Sequence, residues 1–465
     1  MKTSMMAFAL AAAMAWGAMA GEYEAKWESL DRRPTPAWWS EAKFGIFIHW
    51  GPYAVPAYAP AAKGAKFDWD GYAEWYQGKM LSGRQKFLDH HRRYYGEKTP
   101  YGNFAASFTA RFFDAAEWAD LFKRAGAKYV VLTSKHHDGF ALWPSPESPY
   151  YNAVSMGAGR DLAKEFCDAM KAAGLKRGFY YSMLEYANAK YPCGRDGKLS
   201  KWAVSIQEWN RTVNIPQLKE LADEYEADII WPDGEWDYTS DEHLSRDYLA
   251  WLFNESKVKD TVVINDRWGK DCRGRHGGHY TTEYGHAEGE ATGDVIAHPW
   301  EECRGIGGSF GYNRFETPDH YMTREQCIET LVGIVARGGN LLLNVGPDAD
   351  GLIPPIMQDR LLAIGAWLAV NGEAIYATHR AKGVKAEGER VYVTAKDSSV
   401  YAIDFRLDSK PLVIRGVKGV KGVSLLGSDA KVGFKATADG LVIEPPQLGA
   451  KAAPCEHAWA YKVSL

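Results

Sequence analysis

The chain alternates short apolar runs with stretches in which apolar residues recur every three or four positions. A continuous apolar run bounded by turn residues is typical of a strand buried on both faces, and the second pattern is typical of an amphipathic helix. The alternation therefore predicts an α/β fold with a parallel sheet. Eight strands are predicted, at Phe44–Trp50, Tyr129–Lys135, Arg177–Ser182, Asp228–Pro232, Val262–Asp266, His279–Glu283, Ser309–Tyr312 and Asn340–Val345.

Residues between these strands carry helix-capping patterns. Asp114 precedes an apolar helical face and is expected to cap its N-terminus. Thr323 and Gln326 have the spacing of a capping box ahead of another apolar face. Residues 160–175 and 205–226 are also predicted to be helical.

The composition divides the chain into three segments. Residues 1–20 have a positive start, an apolar stretch and the ending Ala18-Met19-Ala20, which predicts a signal peptide cleaved near Ala20 and an exported protein. Residues 21–376 hold the β-units and favour a TIM-type (β/α)8-like barrel, irregular where loop follows the sixth strand. A doubly wound open sheet is the alternative, although no GxGxxG follows the first strand. Residues 377–465 predict a C-terminal antiparallel β-sandwich, because short strands alternate there with turn residues.

Charge and cysteine spacing exclude several classes of protein. Lys and Arg number 55 against 59 Asp and Glu, so the chain lacks the basic excess of a nucleic-acid binder, and no nucleic-acid partner is expected. Six cysteines lie far apart without a CxxC pair, so no structural metal is predicted. No segment after the first twenty residues has the length of a membrane span. The 18 Trp and 26 Tyr fit either a large core or a pocket that stacks on sugar rings.

Polar and aromatic side chains follow almost every predicted strand. In a barrel these positions meet at one rim, where the chemistry of such folds takes place. In strand order they are His49-Trp50, Lys135-His136-His137-Asp138, Tyr180-Tyr181, Trp231-Pro232-Asp233, Asn265-Asp266-Arg267-Trp268, Glu283-Tyr284, Phe310-Gly311-Tyr312 and Asn344. Two carboxylates among hydroxyl-binding groups and aromatic walls are the set that glycoside hydrolysis needs.

Asp233 and Glu283 are the candidate catalytic carboxylates, at the ends of the fourth and sixth predicted strands. In a retaining enzyme one would act as nucleophile and the other as acid/base. Asp233 before Gly234 also fits a turn or a helix cap. Glu283 has neighbours that could compete for its role, namely Glu288, Glu290, Asp294, Glu301 and Glu302.

A metal-dependent barrel hydrolase is the alternative enzyme class, because His49, His136 and His137 are possible ligands. The first strand carries one His rather than an HxH pair, and the fifth and sixth add Arg and Glu, which argues against this class. His136 and His137 are adjacent, so only one is expected at the rim unless the strand has already ended.

Eight ordered stretches of the chain form a recognisable set of motifs. They are FGIFIHWG (44–51), YAEWY (72–76), YVVLTSKHHDGF (129–140), GFYYS (178–182), IWPDGEW (230–236), INDRWG (264–269), RGIGGSFGYN (304–313) and RGGNLLLNVGP (337–347). With these motifs the sequence resembles glycoside hydrolase family 29, the α-L-fucosidases. The resemblance implies a retaining exo-α-L-fucosidase acting on a fucosylated oligosaccharide or glycoconjugate without a cofactor. A same-scaffold hydrolase of another α-glycoside, such as a galactoside, and a non-catalytic fucose-binding protein are the alternatives.

The resemblance also implies roles for individual residues. Asp233 would be the nucleophile, forming a covalent fucosyl-enzyme intermediate. Glu283 would be the acid/base, and Glu301 is the alternative; Glu283 is preferred because it follows a predicted strand, whereas Glu301 is expected in a loop. Phe310 would lie against the C6 methyl group of fucose. The other residues that the resemblance places in the fucose pocket are His49, Glu74, Trp75, His136, His137, Tyr181, Trp231 and Arg267.

Overall fold

The computed structural model describes residues 22–61, 69–192, 200–285, 297–408, 410–449 and 452–465. The predicted signal peptide at residues 1–20 lies outside these residues and stays a prediction.

Eight parallel strands form the larger sheet: β1 (Phe44–Ile48), β2 (Tyr129–Lys135), β3 (Lys176–Ser182), β4 (Ile229–Asp233), β5 (Val263–Ile264), β6 (Tyr280–Glu283), β7 (Trp300–Gly305) and β8 (Asn340–Val345). Their spatial order is β5-β4-β3-β2-β1-β8-β7-β6. Between β5 and β6 the contact is a single bridge between Asn265 and His279. The sheet is therefore a curled, TIM-like barrel, as predicted. It is weakly closed at the seam between β5 and β6, whereas the irregularity was expected after the sixth strand.

Helices cover the outside of this sheet. The described residues form α1 (Trp27–Leu30), α2 (Ala37–Ala42), α3 (Tyr76–Leu81), α4 (Gln85–Tyr94), α5 (Phe104–Ser107), α6 (Ala115–Arg124), α7 (Leu162–Ala173), α8 (Ile206–Trp209), α9 (Ile215–Asp223), α10 (Ser245–Asn254), α11 (Arg324–Ala336) and α12 (Pro355–Asn371). Asp114 caps α6, and the capping box of Thr323 and Gln326 begins α11, as predicted. No helix in the described part of the chain is long and apolar enough to cross a membrane.

The prediction for the seventh strand is wrong. The strand is Trp300–Gly305, and Ser309–Tyr312 lies in the loop that follows it. This strand contains no apolar run, because Glu301 occupies a position that points into the barrel. There it accepts hydrogen bonds from the Tyr129 hydroxyl (2.6 Å) and the Trp231 indole nitrogen (3.0 Å). A buried carboxylate is tolerated when its hydrogen bonds are made, and hydrophobic patterning cannot reveal such partners. Glu301 therefore lies in a strand rather than in the expected loop.

The C-terminal strands form two antiparallel sheets, as predicted. They are β9 (His379–Arg380), β10 (Lys385–Ala386), β11 (Val391–Lys396), β12 (Ser399–Asp404), β13 (Leu412–Arg415), β14 (Gly422–Leu425), β15 (Gly433–Thr437), β16 (Gly440–Glu444) and β17 (Trp459–Ser464). One sheet has the order β14-β17-β12-β11-β9 and the other β10-β13-β16-β15. Val400 and Ala402 of the first share one apolar core with Ile414 and Ile443 of the second, so the sheets pack as a sandwich. The boundary at residue 376 stays a prediction.

A buried ion pair joins the ends of β2 and β3. Lys135 Nζ lies 3.0 Å from Glu185 Oε2, and their side chains are 0% and 3% exposed. Lys135 Nζ also lies 3.0 Å from the Tyr181 hydroxyl. Because Lys135 is directly followed by His136 and His137, this pair anchors the segment that enters the site described below.

Replacing Glu185 with Leu should lower the free energy of unfolding by about 3–5 kcal/mol, because it leaves the buried ammonium of Lys135 without its counter-charge. Denaturant unfolding measures this. The matched control is Asp168→Leu, which removes the partner of Lys164 from an exposed pair on α7 and should cost less than about 1 kcal/mol. Similar losses for both variants would contradict a structural role for the buried pair.

Candidate active site

Asp233 is the last residue of β4 and is buried. The Tyr180 hydroxyl donates to its Oδ2 (2.7 Å), and Arg267 Nη1 donates to its Oδ1 (2.6 Å). Burial alone would raise the pKa of this carboxyl, but the charge of Arg267 and the two hydrogen bonds outweigh it and hold the pKa below its ordinary value. Asp233 is therefore an ionised carboxylate at neutral pH.

Gly234 turns the chain directly after Asp233. Its φ is +81°, and an added Cβ would lie 2.8 Å from Leu184 Cβ and 3.0 Å from Leu184 N. A side chain at this position would meet both an unfavourable backbone conformation and a steric clash. The Asp-Gly pair is thus a turn and also a pocket element, so the two interpretations of this motif are compatible.

The pairing of β3 with β4 decides which tyrosine reaches the site. Tyr180 is paired with Trp231, and Tyr181 with Pro232. Because paired side chains on neighbouring strands share a face, Tyr180 points into the barrel with Trp231 and Tyr181 points outward. The Tyr181 hydroxyl lies 2.8 Å from both Asn214 Oδ1 and Gln217 Oε1, outside the pocket. The expectation that Tyr181 lines the pocket does not match its position, and Tyr180 lies there instead.

Both adjacent histidines reach the site because β2 ends at Lys135. Their ring centroids lie 4.1 Å apart. His136 lines the pocket, and its Nδ1 has no hydrogen-bond partner among the described residues. His137 Nε2 lies 3.8 Å from Asp233 Oδ2, while its Nδ1 lies 2.7 Å from Ser182 Oγ. The two rings therefore flank the carboxylate from one side.

His49 is held as a neutral imidazole. Burial lowers its pKa to about 4. Its Nδ1 lies 2.7 Å from Asn344 Oδ1, and Asn344 Nδ2 donates to the carbonyl of Phe310. Since the amide oxygen of Asn344 faces the ring, Nδ1 carries the proton, and Nε2 is left as an acceptor suited to a sugar hydroxyl.

Glu283 ends β6 and faces the same pocket, with its side chain 20% exposed. The Tyr72 hydroxyl donates to Glu283 Oε1 (2.8 Å), and Arg267 Nη2 lies 3.6 Å from Oε2. The guanidinium of Arg267 thus lies between the carboxyls of Asp233 and Glu283. Two carboxyl groups flanking one position are the requirement for glycoside hydrolysis.

Glu301 lies deeper in the barrel than Glu283. Cys303 of β7 is paired with Glu283, and Glu301 is paired with Thr281. Glu301 is therefore two residues further from the rim, which is about 7 Å along a strand. Both of its oxygens already accept hydrogen bonds, and it does not line the pocket.

A third carboxyl and an aromatic wall complete the pocket. Glu74, in the short 3-10 helix Ala73–Trp75, accepts a hydrogen bond from the backbone N–H of Gly311 (2.7 Å). Burial raises the pKa of Glu74 to about 7. Phe310 lies next to this contact, with its ring centroid 4.8 Å from that of His49 and 5.5 Å from that of Tyr72.

The structure brings most of the predicted site residues together. Those that line this pocket are His49, Glu74, Trp75, His136, Trp231, Asp233, Arg267, Glu283 and Phe310. The pocket is also lined by residues that the resemblance did not place in the fucose pocket, namely Phe47, Tyr72, Tyr180, Trp236, Arg273 and Cys303. Phe47, Tyr72, Tyr180 and Trp236 belong to the quoted motifs and could have been found there. Arg273 and Cys303 carry no such indication. Within the described ranges no group of three His, Cys, Asp or Glu side chains is arranged to hold a metal ion.

A TIM-like barrel with an ionised carboxylate, a second carboxyl and aromatic walls at its strand ends defines a glycoside hydrolase. Comparison with known proteins identifies the family. The family model described as alpha-L-fucosidase matches residues 10–373, and the model described as alpha-L-fucosidase C-terminal domain matches residues 386–464. The chain therefore belongs to the α-L-fucosidases of glycoside hydrolase family 29.

Individual relatives agree with this assignment. The tissue α-L-fucosidase of Rattus norvegicus is 39% identical, over 98% of this chain and 95% of the rat protein. The Thermotoga maritima α-fucosidase in complex with fucose has a TM-score of 0.80 and 36% identity, covering 95% of this chain and 100% of that chain. A trapped covalent intermediate of a Bacteroides thetaiotaomicron family 29 enzyme, in complex with 2-fluoro-fucosyl fluoride, has a TM-score of 0.73 and 25% identity, covering 92% and 95%.

Replacing Tyr180 with Phe should move the acidic limb of the kcat/KM pH profile to higher pH by about one unit. The variant loses a hydrogen bond that stabilises ionised Asp233, so the pKa of Asp233 rises and the carboxylate is lost at a higher pH. The matched control is Tyr181→Phe, whose hydroxyl points away from Asp233 and should leave the limb in place. A shift in the control and none in Tyr180→Phe would contradict the assigned orientation of β3.

Proposed function

We propose that the protein is a retaining exo-α-L-fucosidase in which Asp233 is the nucleophile. The observation that carries this proposal is the ionised, buried carboxylate of Asp233, fixed by Arg267 and Tyr180 at the rim of the barrel. A carboxylate held in this way has its oxygens oriented before substrate arrives, which lowers the cost of reaching the transition state. The trapped covalent intermediate of the Bacteroides relative supports a mechanism with retention.

The reaction takes two steps. In the first, Glu283 donates its proton to the glycosidic oxygen as the bond to the anomeric carbon breaks, and Asp233 forms an ester to that carbon. In the second, Glu283 removes a proton from water as the water oxygen attacks the anomeric carbon and Asp233 leaves as carboxylate. Arg267 contacts Asp233 and lies close to Glu283, so the same cation stabilises charge as it develops on either group.

Glu283 rather than Glu301 is proposed as the acid/base. Glu283 is partly exposed at the pocket, where a leaving oxygen can reach it, whereas Glu301 is buried one layer lower with both oxygens occupied. Glu283 does end a strand, but Glu301 lies in β7 and not in the expected loop, so the expected contrast between strand end and loop does not separate them. The depth of Glu301 supports the same choice for a different reason.

The residues that line the pocket suit a single terminal fucose. His49, Glu74 and His136 offer hydrogen-bonding groups for sugar hydroxyls, and Phe310 and Phe47 offer an apolar surface for a methyl group. The substrate proposed is a terminal α-L-fucose on an oligosaccharide or glycoconjugate. Export after cleavage near Ala20 is part of the same proposal.

Azide rescue distinguishes the roles of the carboxyls. Glu283→Ala should lose activity on poor leaving groups but keep the first step on activated aryl fucosides, and azide should then yield α-L-fucosyl azide. Asp233→Ala should lose turnover by about 10⁴-fold or more, and azide should yield the β-anomer because it replaces the nucleophile. Rescue with the α-product in Glu301→Ala but not in Glu283→Ala would reverse the assignment.

Phe310 should set the preference for fucose over its 6-hydroxylated analogue. The unmodified chain should favour an aryl α-L-fucoside over the aryl α-L-galactoside by about 10–100-fold, because the extra hydroxyl is buried against Phe310 without a partner. Phe310→Ala should lower this ratio of kcat/KM values, and Phe112→Ala, an exposed control, should not. A higher kcat/KM for the galactoside in the unmodified chain would favour the alternative glycosidase.

A further inference from the structure

The two residues that follow Gly234 have side chains that point in opposite directions. Trp236 lies half-buried at the mouth of the pocket, with its ring centroid 5.6 Å from that of Trp75 and 5.4 Å from that of His137. Glu235 is completely buried behind the pocket wall. The segment that begins with the nucleophile therefore supplies an aromatic face at the mouth and a carboxyl beneath it.

Arg273 reaches the same mouth from the loop between β5 and β6. Its side chain is 31% exposed and lines the pocket beside Glu283. Nη2 makes one long hydrogen bond to the carbonyl of Thr281 (3.4 Å), and Nε lies 4.0 Å from Glu235 Oε1. These are its polar contacts with the described residues, so most of the five N–H donors of this guanidinium are left for a ligand.

Glu235 is unusual because it is a carboxyl buried without hydrogen bonds. Neither oxygen has a hydrogen-bond partner among the described residues. The charged and titratable groups around it are Asp233 two residues earlier, Arg267, Cys272 and Arg273 on the loop after β5, and His243 before α10. Burial and then the charge of Asp233 raise its pKa to about 7. A carboxyl buried without hydrogen bonds destabilises the folded protein. The cation at the mouth of the pocket that lies nearest to Glu235 is Arg273.

We propose that Trp236 and Arg273 form the subsite for the leaving sugar, and that Glu235 is a positioning residue that holds Arg273 from beneath. The inference rests on the proposed function, since the leaving oxygen must lie next to Glu283. Arg273 and Glu283 line the same pocket, and Thr281, whose carbonyl accepts from Arg273, belongs to the strand that ends at Glu283.

The chemistry of the two side chains defines the ligand. The indole of Trp236 offers an aromatic face to the C–H side of a pyranose ring, and the guanidinium of Arg273 offers paired donors to adjacent hydroxyl oxygens. The ligand is thus a sugar ring with neighbouring hydroxyls, linked through one further oxygen to the fucose.

The test compares two substrates in each variant of the full chain. One is a disaccharide with terminal α-L-fucose, and the other is α-L-fucosyl fluoride, whose leaving group carries no sugar. Arg273→Ala and Trp236→Ala should each lower the ratio of kcat/KM for the disaccharide to kcat/KM for the fluoride by about tenfold or more. Arg275→Ala, an exposed arginine on the same loop, is the matched control and should leave the ratio unchanged. Because the ratio is taken within one variant, loss of folded protein cancels.

Glu235 is tested by a double-mutant cycle. Glu235→Gln keeps the shape of the side chain but cannot carry a negative charge, so it should lower the same ratio of kcat/KM values about threefold or more. The double variant with Arg273→Ala should have the same ratio as Arg273→Ala alone. If Glu235 had only a structural role, its replacement would lower kcat/KM for both substrates by the same factor and leave the ratio constant.

The outcomes separate the two proposals. Equal losses on both substrates in Arg273→Ala and Trp236→Ala would overturn the subsite and leave the proposed function intact. An unchanged ratio in Glu235→Gln, or additive losses in the double variant, would overturn the positioning role. Failure of the unmodified chain to hydrolyse α-L-fucosyl fluoride would overturn the proposed function itself.

Discussion

The buried guanidinium of Arg267 is the group on which the geometry of the pocket depends. It donates to Asp233, lies 3.6 Å from Glu283, and rests over the ring of Trp231 at 4.5 Å. Neither a buried cation nor a buried carboxylate is stable alone, because each loses its hydration. Their pairing offsets that cost, and it also fixes where the two carboxyls lie. The requirement for charge neutralisation thus sets both the ionisation of Asp233 and its position relative to Glu283.

The barrel supports this pairing through strand ends rather than through flexible loops. Asp233 closes β4 and Glu283 closes β6, so each has its backbone fixed by sheet hydrogen bonds. Arg267 comes from the loop after β5, where the sheet is held by a single bridge, and it is fixed by side-chain contacts that include Thr281 Oγ1 at 3.0 Å. The weakest seam of the barrel therefore carries the cation, and the pocket's own polar contacts stabilise that seam.

Sequence patterning predicted the features that depend on local residues. β1 and the Leu341–Leu343 run of β8 are apolar and buried on both faces, so the positions of these strands follow from the pattern. β7 was missed because Glu301 is compensated by Tyr129 and Trp231, which are 172 and 70 positions away in the chain. Partners this far away in the chain give no signal in the sequence around the strand.

The choice between Tyr180 and Tyr181 shows the same limit at the site. Both belong to one motif, and a shift of one residue along a strand reverses the face on which a side chain lies. The pairing with β4 decides the outcome, and the motif does not contain it. Arg273 is similar, because its place at the mouth follows from the path of a loop, and residues 267–278 carry no strand or helix pattern.

Three carboxyls in one small region acquire different properties from their surroundings. Asp233 has a lowered pKa because Arg267 and Tyr180 outweigh burial, whereas Glu74 and Glu235 have pKa values of about 7 because burial prevails. A carboxylate suits attack on carbon, and Glu74, which lines the pocket and can keep its proton near neutrality, can donate a hydrogen bond to a sugar oxygen. Since all three are acidic residues close together in space, their number and type cannot assign the roles. The three carboxyls are distinguished by the cation that contacts their oxygens, and Arg267 contacts Asp233 directly.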